Sequence, residues 1–267
     1  MLFPFVGICT DSTLSKKNRE TVLSEKRYEL NINTEIATVY NFRGENIFKA
    51  TPQQKKHGVF SPSIIGSILA IDLWLKYAGY YQLNSENQGY NVNIGKGHEQ
   101  NLFLGWDYTF TKFLTFNSYL AYYFYPFSMK EMTGVRNPSY VETLIGMLYN
   151  PHGIVDVALN ISYYHGVQSR IKNKRYVYFN PSIRKRFDFE KRVSFELKLD
   201  LGYKLFNDRK NNKNYVYDAD FVVGVPINIV SEIYINPAIH LSWANQYDVS
   251  FGNESFVWFG VDVGVIL

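Results

Sequence analysis

The sequence holds a single cysteine, Cys9, which excludes an intrachain disulfide framework and leaves the redox compartment open. It also lacks a long hydrophobic run. A membrane-spanning helix needs about 18–20 predominantly apolar residues, and the longest uncharged stretch, Leu114 to Met129, is broken by Asn117, two serines and Pro126. Charge is sparse: 19% charged residues and a net charge of +4, beside 46% hydrophobic residues, exclude an intrinsically disordered chain. Helical 3.6-residue periodicity is almost absent, as are internal repeats longer than a hairpin and low-complexity tracts. The histidines (His57, His98, His152, His165 and His240) are scattered without metal-ligand spacing, so no metal and no other cofactor is expected. No interleaved basic and aromatic groove is visible, and nucleic acid is not an expected partner.

Aromatic residues are what the chain has in abundance. They make up 17% of it, with 22 Tyr and 20 Phe, yet the mean hydropathy is −0.21. Many rings in a chain that is not hydrophobic on average imply alternation, with one face apolar and the other polar. Residues 191–206 show it best: Val193, Phe195, Leu197, Leu199, Leu201, Tyr203 and Leu205 alternate with Ser194, Glu196, Lys198, Asp200 and Lys204. Residues 28–42, 71–82 and 154–165 repeat the pattern.

Extended to the whole chain, this reading predicts twelve strands, at 28–42, 58–69, 71–82, 98–110, 113–125, 139–149, 154–166, 174–188, 191–206, 214–228, 231–244 and 254–267. Their connections alternate strictly. Short turns fall near Ala70, Thr111–Lys112, Asn150–Gly153, Phe189–Glu190 and Val230–Ser231, and longer loops at 43–57, 83–97, 126–138, 167–173, 207–213 and 245–253. An even number of antiparallel strands of about 9–11 residues, with short turns on one side and long loops on the other, is the pattern of a transmembrane β-barrel. The expected fold class is therefore all-β: a transmembrane antiparallel barrel at 28–267, integral to an outer membrane, with both termini periplasmic. Residues 1–27 read as a periplasmic tail or the remnant of a signal peptide. Ile8 stands where a lipidation box before Cys9 would place a small residue. A soluble β-sandwich is the alternative, but it would not require such long strands or such regular loop lengths.

On the apolar parity, Tyr40, Phe60, Tyr81, Tyr122, Phe124, Tyr163, Tyr217, Trp243 and Phe259 gather toward the long-loop ends, as a membrane-interface girdle would. Lys185 is a blemish on that parity, near enough to a turn to snorkel. The segment FVWFGVDVGVIL, residues 256–267, reads as the strand that closes the wall against strand one.

These features resemble outer-membrane porins over residues 28–267. More narrowly, Tyr40-Asn41-Phe42-Arg43-Gly44 resembles the Tyr-x-Phe-Arg-Gly that ends the first strand in the TorF-like family of porins, echoed by Tyr122–Pro126 and Ser139–Gly146. That resemblance implies a small barrel with a channel function and carries no substrate with it. Barrels of this kind end on an apolar, usually aromatic residue that the assembly machinery recognises, so that machinery is an implied partner during insertion. Leu267 departs from the usual Phe.

Under the parity assignment the lumen is lined by Glu35, Asp72, Lys76, Asp107, Glu142, Asp156, Arg184, Arg186, Glu196, Lys198, Asp200, Lys204, Asp218, Asp220, His240 and Asp262. Both signs in one lumen fit a small-solute channel, where rings of charge set selectivity. The alternative is a cross-strand ion-pair network that plugs the barrel, with Arg184 and Arg186 paired to Glu196 and Asp200. The long loops are basic, with Lys49, Lys55, Lys56, Arg170, Lys172, Lys174, Arg175, Arg209 and Lys210 forming an extracellular rim. Such a rim suits outer-membrane lipid and lipopolysaccharide phosphates, or steers anionic solutes.

Three functions follow: a passive channel for small polar solutes; a non-conducting barrel that contacts other envelope proteins; and a lipid-acting hydrolase. The last rests on His240-Leu241-Ser242, whose spacing puts base and hydroxyl on one strand face, similar to outer membrane phospholipase A. That face is the lumen, where a lipase has no substrate, so no catalytic residue and no enzymatic activity are expected.

Overall fold

The computed structural model describes residues 27–39, 41–42, 45–46, 58–83, 99–126, 139–168, 175–189, 192–206, 215–245 and 253–267. Twelve long strands form the wall: β1 (Tyr28–Ala37), β2 (Val59–Ile68), β3 (Leu73–Gln82), β4 (Glu99–Thr111), β5 (Leu114–Phe124), β6 (Ser139–Tyr149), β7 (Asp156–Gly166), β8 (Arg175–Asp188), β9 (Ser194–Phe206), β10 (Tyr215–Gly224), β11 (Ile233–Asn245) and β12 (Asn253–Ile266). Each pairs antiparallel with its sequence neighbours, and β1 pairs with β12 from Asn31↔Ile266 to Ala37↔Gly260. The sheet therefore closes on itself, leaving no edge strand whose N–H and C=O groups would lack partners in lipid.

Alternation along each strand sorts the side chains as the sequence pattern requires. Leu30, Ile32 and Ile36 on β1, Leu102 and Leu104 on β4, Val157, Leu159 and Ile161 on β7, and Val257, Phe259, Val261 and Val263 on β12 are all exposed on the outside. An apolar belt running round the whole wall is untenable in water and is what a lipid-facing surface needs. Aromatic residues flank it at both ends. Tyr122, Tyr163, Tyr217, Trp243 and Phe259 lie toward the long loops, and Trp106, Tyr108, Phe110, Phe116, Tyr149 and Phe187 toward the short turns. The single band expected from the sequence is thus one of two. Lys185 reaches the turn, where its ammonium donates to the Ile154 carbonyl and lies 5.5 Å from the Phe187 ring centroid.

Strand ends explain the remaining differences. Strand one stops at Ala37 rather than 42, and Asn41–Phe42 pairs instead with Glu45–Asn46 in a separate two-residue ladder. The tenth strand ends at Gly224, because Val225–Pro226 interrupts it before Ile227–Asn228 rejoins β11; proline has no N–H to give a ladder. Between β2 and β3 a 3₁₀ turn, Leu69–Ile71, ends in Asp72 with φ +54°, a left-handed conformation that Asp tolerates better than most residues. Asp72 is consequently exposed in the turn and does not line the lumen.

The core lies inside the barrel. Tyr80, Phe103, Tyr119, Tyr123, Tyr140, Tyr164, Phe256 and Trp258 pack with Ala37, Val59, Ala78, Ala121 and Leu144 on the inner face, mostly in the long-loop half.

Candidate channel lumen

Of the charged residues expected inside, all but Asp72 sit on the inward parity of their strands, opposite the exposed apolar rows. They form local groups rather than one ladder. Arg184 stands directly opposite Lys198 on β9 and opposite Asp156 on β7. The like charge repels it, so it turns to Asp156, bonding through Nε at 2.7 Å and Nη2 at 2.5 Å, and it keeps Glu196 at 3.9 Å. The expected pairing of Arg184 with Asp200 is therefore replaced. Asp200 pairs with Lys198 on its own strand at 3.0 Å. Arg186 likewise bonds Asp188 at 3.0 Å and Ser194 at 2.8 Å, at the turn end of the barrel.

A second group joins β10, β11 and β12. His240 Nδ1 lies 2.8 Å from Asp220 Oδ2, Ser242 donates to Asp220 Oδ1, and Trp258 Nε1 donates to Ser242 Oγ at 2.8 Å. The His240 ring stacks on the Trp258 indole, with centroids 3.5 Å apart. Ser242 faces the interior at 0% exposure. Its hydroxyl hydrogen is committed to a carboxylate and its oxygen to an indole N–H, so the arrangement is a satisfied polar network rather than a presented nucleophile.

The third group is aromatic. Tyr140, Tyr164 and Tyr176 stack in a row, at 4.9 and 4.8 Å between centroids. Phe103 meets Tyr119 and Tyr123 edge-on, and Tyr123 meets Tyr164. Within this wall Glu142 accepts from Tyr123 at 2.5 Å and from Tyr119 at 3.4 Å. Asn101 bonds Glu99 at 2.6 Å, Tyr178 bonds Asp218 at 2.9 Å, and the Lys204 ammonium lies 5.1 Å from the Tyr176 ring. These inward rings are interior residues that pattern reading missed. A signal existed in the doublets Tyr80-Tyr81, Tyr122-Tyr123 and Tyr163-Tyr164. In a strand, a doublet must send one ring to the lipid and the other to the lumen.

Two inward glycines make room for rings on the neighbouring strand. A Cβ on Gly105 would stand 2.1 Å from the Trp74 ring, and one on Gly264 would stand 2.3 Å from the Tyr234 ring. Both are register partners of the aromatic they shelter, Trp74↔Gly105 and Tyr234↔Gly264.

A closed twelve-stranded wall with a polar interior and an apolar exterior matches known structures. It is similar to the NanC porin (TM-score 0.53, 9% identity, 88% of this chain and 98% of that one). It is also similar to the KdgM porin (TM-score 0.51, 10% identity, 89% and 98%) and to an outer membrane channel from Pseudomonas putida F1 (TM-score 0.51, 9% identity, 90% and 95%). The chain folds as a porin-like outer-membrane β-barrel. No protein-family model and no curated protein sequence matches it. In the porin-like barrel, the motif Tyr40–Gly44 falls outside the described residues except for Asn41 and Phe42. So do residues 1–26 and the rim residues Lys49, Lys55, Lys56, Arg170, Lys172, Lys174, Arg209 and Lys210, whereas Arg175 is exposed at the start of β8. Among the described residues no cluster of three or more His, Cys, Asp or Glu side chains could hold a metal ion.

Proposed function

We propose that this barrel is a passive outer-membrane channel for small polar solutes. The observation that carries the reading is the inner wall. Ionisable side chains from β1, β3, β4 and β6–β12 face the interior, in a wall whose outer face is apolar. Charge inside a barrel costs desolvation unless water or solute reaches it, and a twelve-stranded barrel is wider than the eight-stranded kind that side chains fill. The basic rim would hold anionic lipid headgroups around the mouth.

A second reading has its own support. Tyr123, Glu142 and Ser242 are 0% exposed, and the stacked tyrosines fill the long-loop half of one side. A barrel so packed would serve as a non-conducting component that contacts other envelope proteins. Planar-bilayer recording of the purified protein separates the two. Discrete ion currents are expected from the channel, and their absence from a folded, heat-modifiable barrel would establish the second reading.

A further inference from the structure

Four adjacent strands present a row of oxygen acceptors to the interior at one level. Ser61 on β2 lies in register with Glu35 on β1, Glu35 with Asp262 on β12, and Asp262 with Asn236 on β11. Like charges directly opposite each other weaken an antiparallel pair, so the Glu35–Asp262 pairing does not serve the stability of the wall. Among the described residues, neither carboxylate has a hydrogen bond or a close ion pair, and the buried Asn236 Oδ1 has no hydrogen-bond partner.

Among the described residues, Lys76 on β3 is the lysine whose charge acts on both Asp262 and Glu35. It is 6% exposed, and its ammonium sits 5.8 Å from the Phe103 ring centroid. No hydrogen bond or close ion pair joins it to a described residue. A buried ammonium held apart from two carboxylates leaves a gap with charged walls. Such a gap is stable only when small polar species fill it.

Gly260 borders this space: a Cβ there would meet Glu35 Oε1 at 3.5 Å and the Trp258 ring at 3.4 Å, ordinary contact distances. His240 also neighbours Glu35, but its Nδ1 is engaged by Asp220 Oδ2 at 2.8 Å. Among the described residues, two carboxylates against one ammonium leave an excess of negative charge, focused by the low-dielectric wall.

We propose that Ser61, Glu35, Asp262 and Asn236, faced by Lys76, form the cation-selecting constriction of the lumen, whose ligand is a small monovalent cation such as K⁺ or a small organic ammonium. The oxygens replace part of the ion's hydration shell, and Lys76 keeps its stay short, since conduction needs binding weak enough to permit exit. The proposal rests on the channel reading and adds to it a sign of selectivity and the residues that set it.

The test is the reversal potential of the purified full-length barrel in planar bilayers under a KCl gradient, with heat-modifiable migration as the check of folding. The wild type should pass K⁺ in preference to Cl⁻. The Glu35→Gln/Asp262→Asn double variant should lose at least about threefold of that preference, and Lys76→Gln should shift it the opposite way. If the double variant fails to fold, Lys76→Gln alone decides, because loss of a cation must raise cation preference. An anion-selective wild type, or folded variants with unchanged reversal potentials, would overturn the constriction while leaving the channel intact. Absence of current from every folded protein would overturn the channel reading and the constriction with it.

Discussion

The Tyr123 hydroxyl donates to Glu142 at 2.5 Å, and solvent reaches neither side chain. Tyr119 approaches the same carboxylate at 3.4 Å, so the pair is the polar centre of an aromatic wall. Removing one donor of a buried hydrogen bond leaves its acceptor with one partner fewer and no water to replace it. Tyr123→Phe is therefore expected to destabilise the barrel by about 1–3 kcal/mol. Urea unfolding in detergent micelles would measure this, and an unchanged midpoint would show that Glu142 is not held by Tyr123.

The Trp74–Gly105 register pair makes a steric prediction. Alanine at position 105 would put its Cβ 2.1 Å from the Trp74 ring, so Gly105→Ala should cost about 1–3 kcal/mol through overpacking. Adding Trp74→Ala should then cost less than it does in the wild type, because the clash is gone. A double-mutant cycle reads the coupling directly, and strict additivity would contradict the contact.

Ser242 gives a prediction about chemistry. Phospholipid hydrolysis by the purified barrel should equal the buffer blank, and Ser242→Ala should not change it. Stability should nevertheless fall by about 1–3 kcal/mol, since Asp220 and Trp258 each lose a buried partner. Hydrolysis that disappears with Ser242→Ala would make the lumen network a catalytic site.

The outer face is tested with charge. Leu104, 49% exposed, lies in the lipid-facing row beside Leu75 and Leu120. Leu104→Arg should cost about 2–4 kcal/mol if that row meets the bilayer midplane. Refolding yields into lipid vesicles across a urea series would report it, and a cost near zero would place Leu104 at an interface instead.

How much of this was legible in the sequence depends on the kind of signal. Strands β6 through β9 could be read closely because period-2 alternation is nearly unbroken there and one face must be apolar in lipid. Parity alone overruns the end of β1, because Tyr40 and Phe42 continue the apolar pattern past Ala37, where the barrel strand stops. Parity carried through the 3₁₀ turn puts Asp72 on the lumen face, but such a turn advances the chain without alternating its side chains.

The interior differs in kind. Parity names the residues that point inward but not their partners, which depend on strand stagger. Arg184 was expected to meet carboxylates across β9. In the barrel's register it faces Lys198 there and turns back to Asp156. Inward tyrosines such as Tyr123 and Tyr164 were hidden because aromatic residues suit both faces of a barrel strand, and only their neighbours decide which.

The pairing of β1 with β12 has a kinetic consequence. It joins the first wall strand to the last, out to the Leu30–Leu267 backbone bonds, whereas every other wall-strand pair is a neighbour along the chain. Loop-closure entropy must be met before such a contact repays it. Hairpins can therefore form early, but the last seam waits for the whole array, and until it forms two strands expose unpaired backbone. Assembly should be slowest at this step, and crosslinks across β1 and β12 should appear last in a refolding time course.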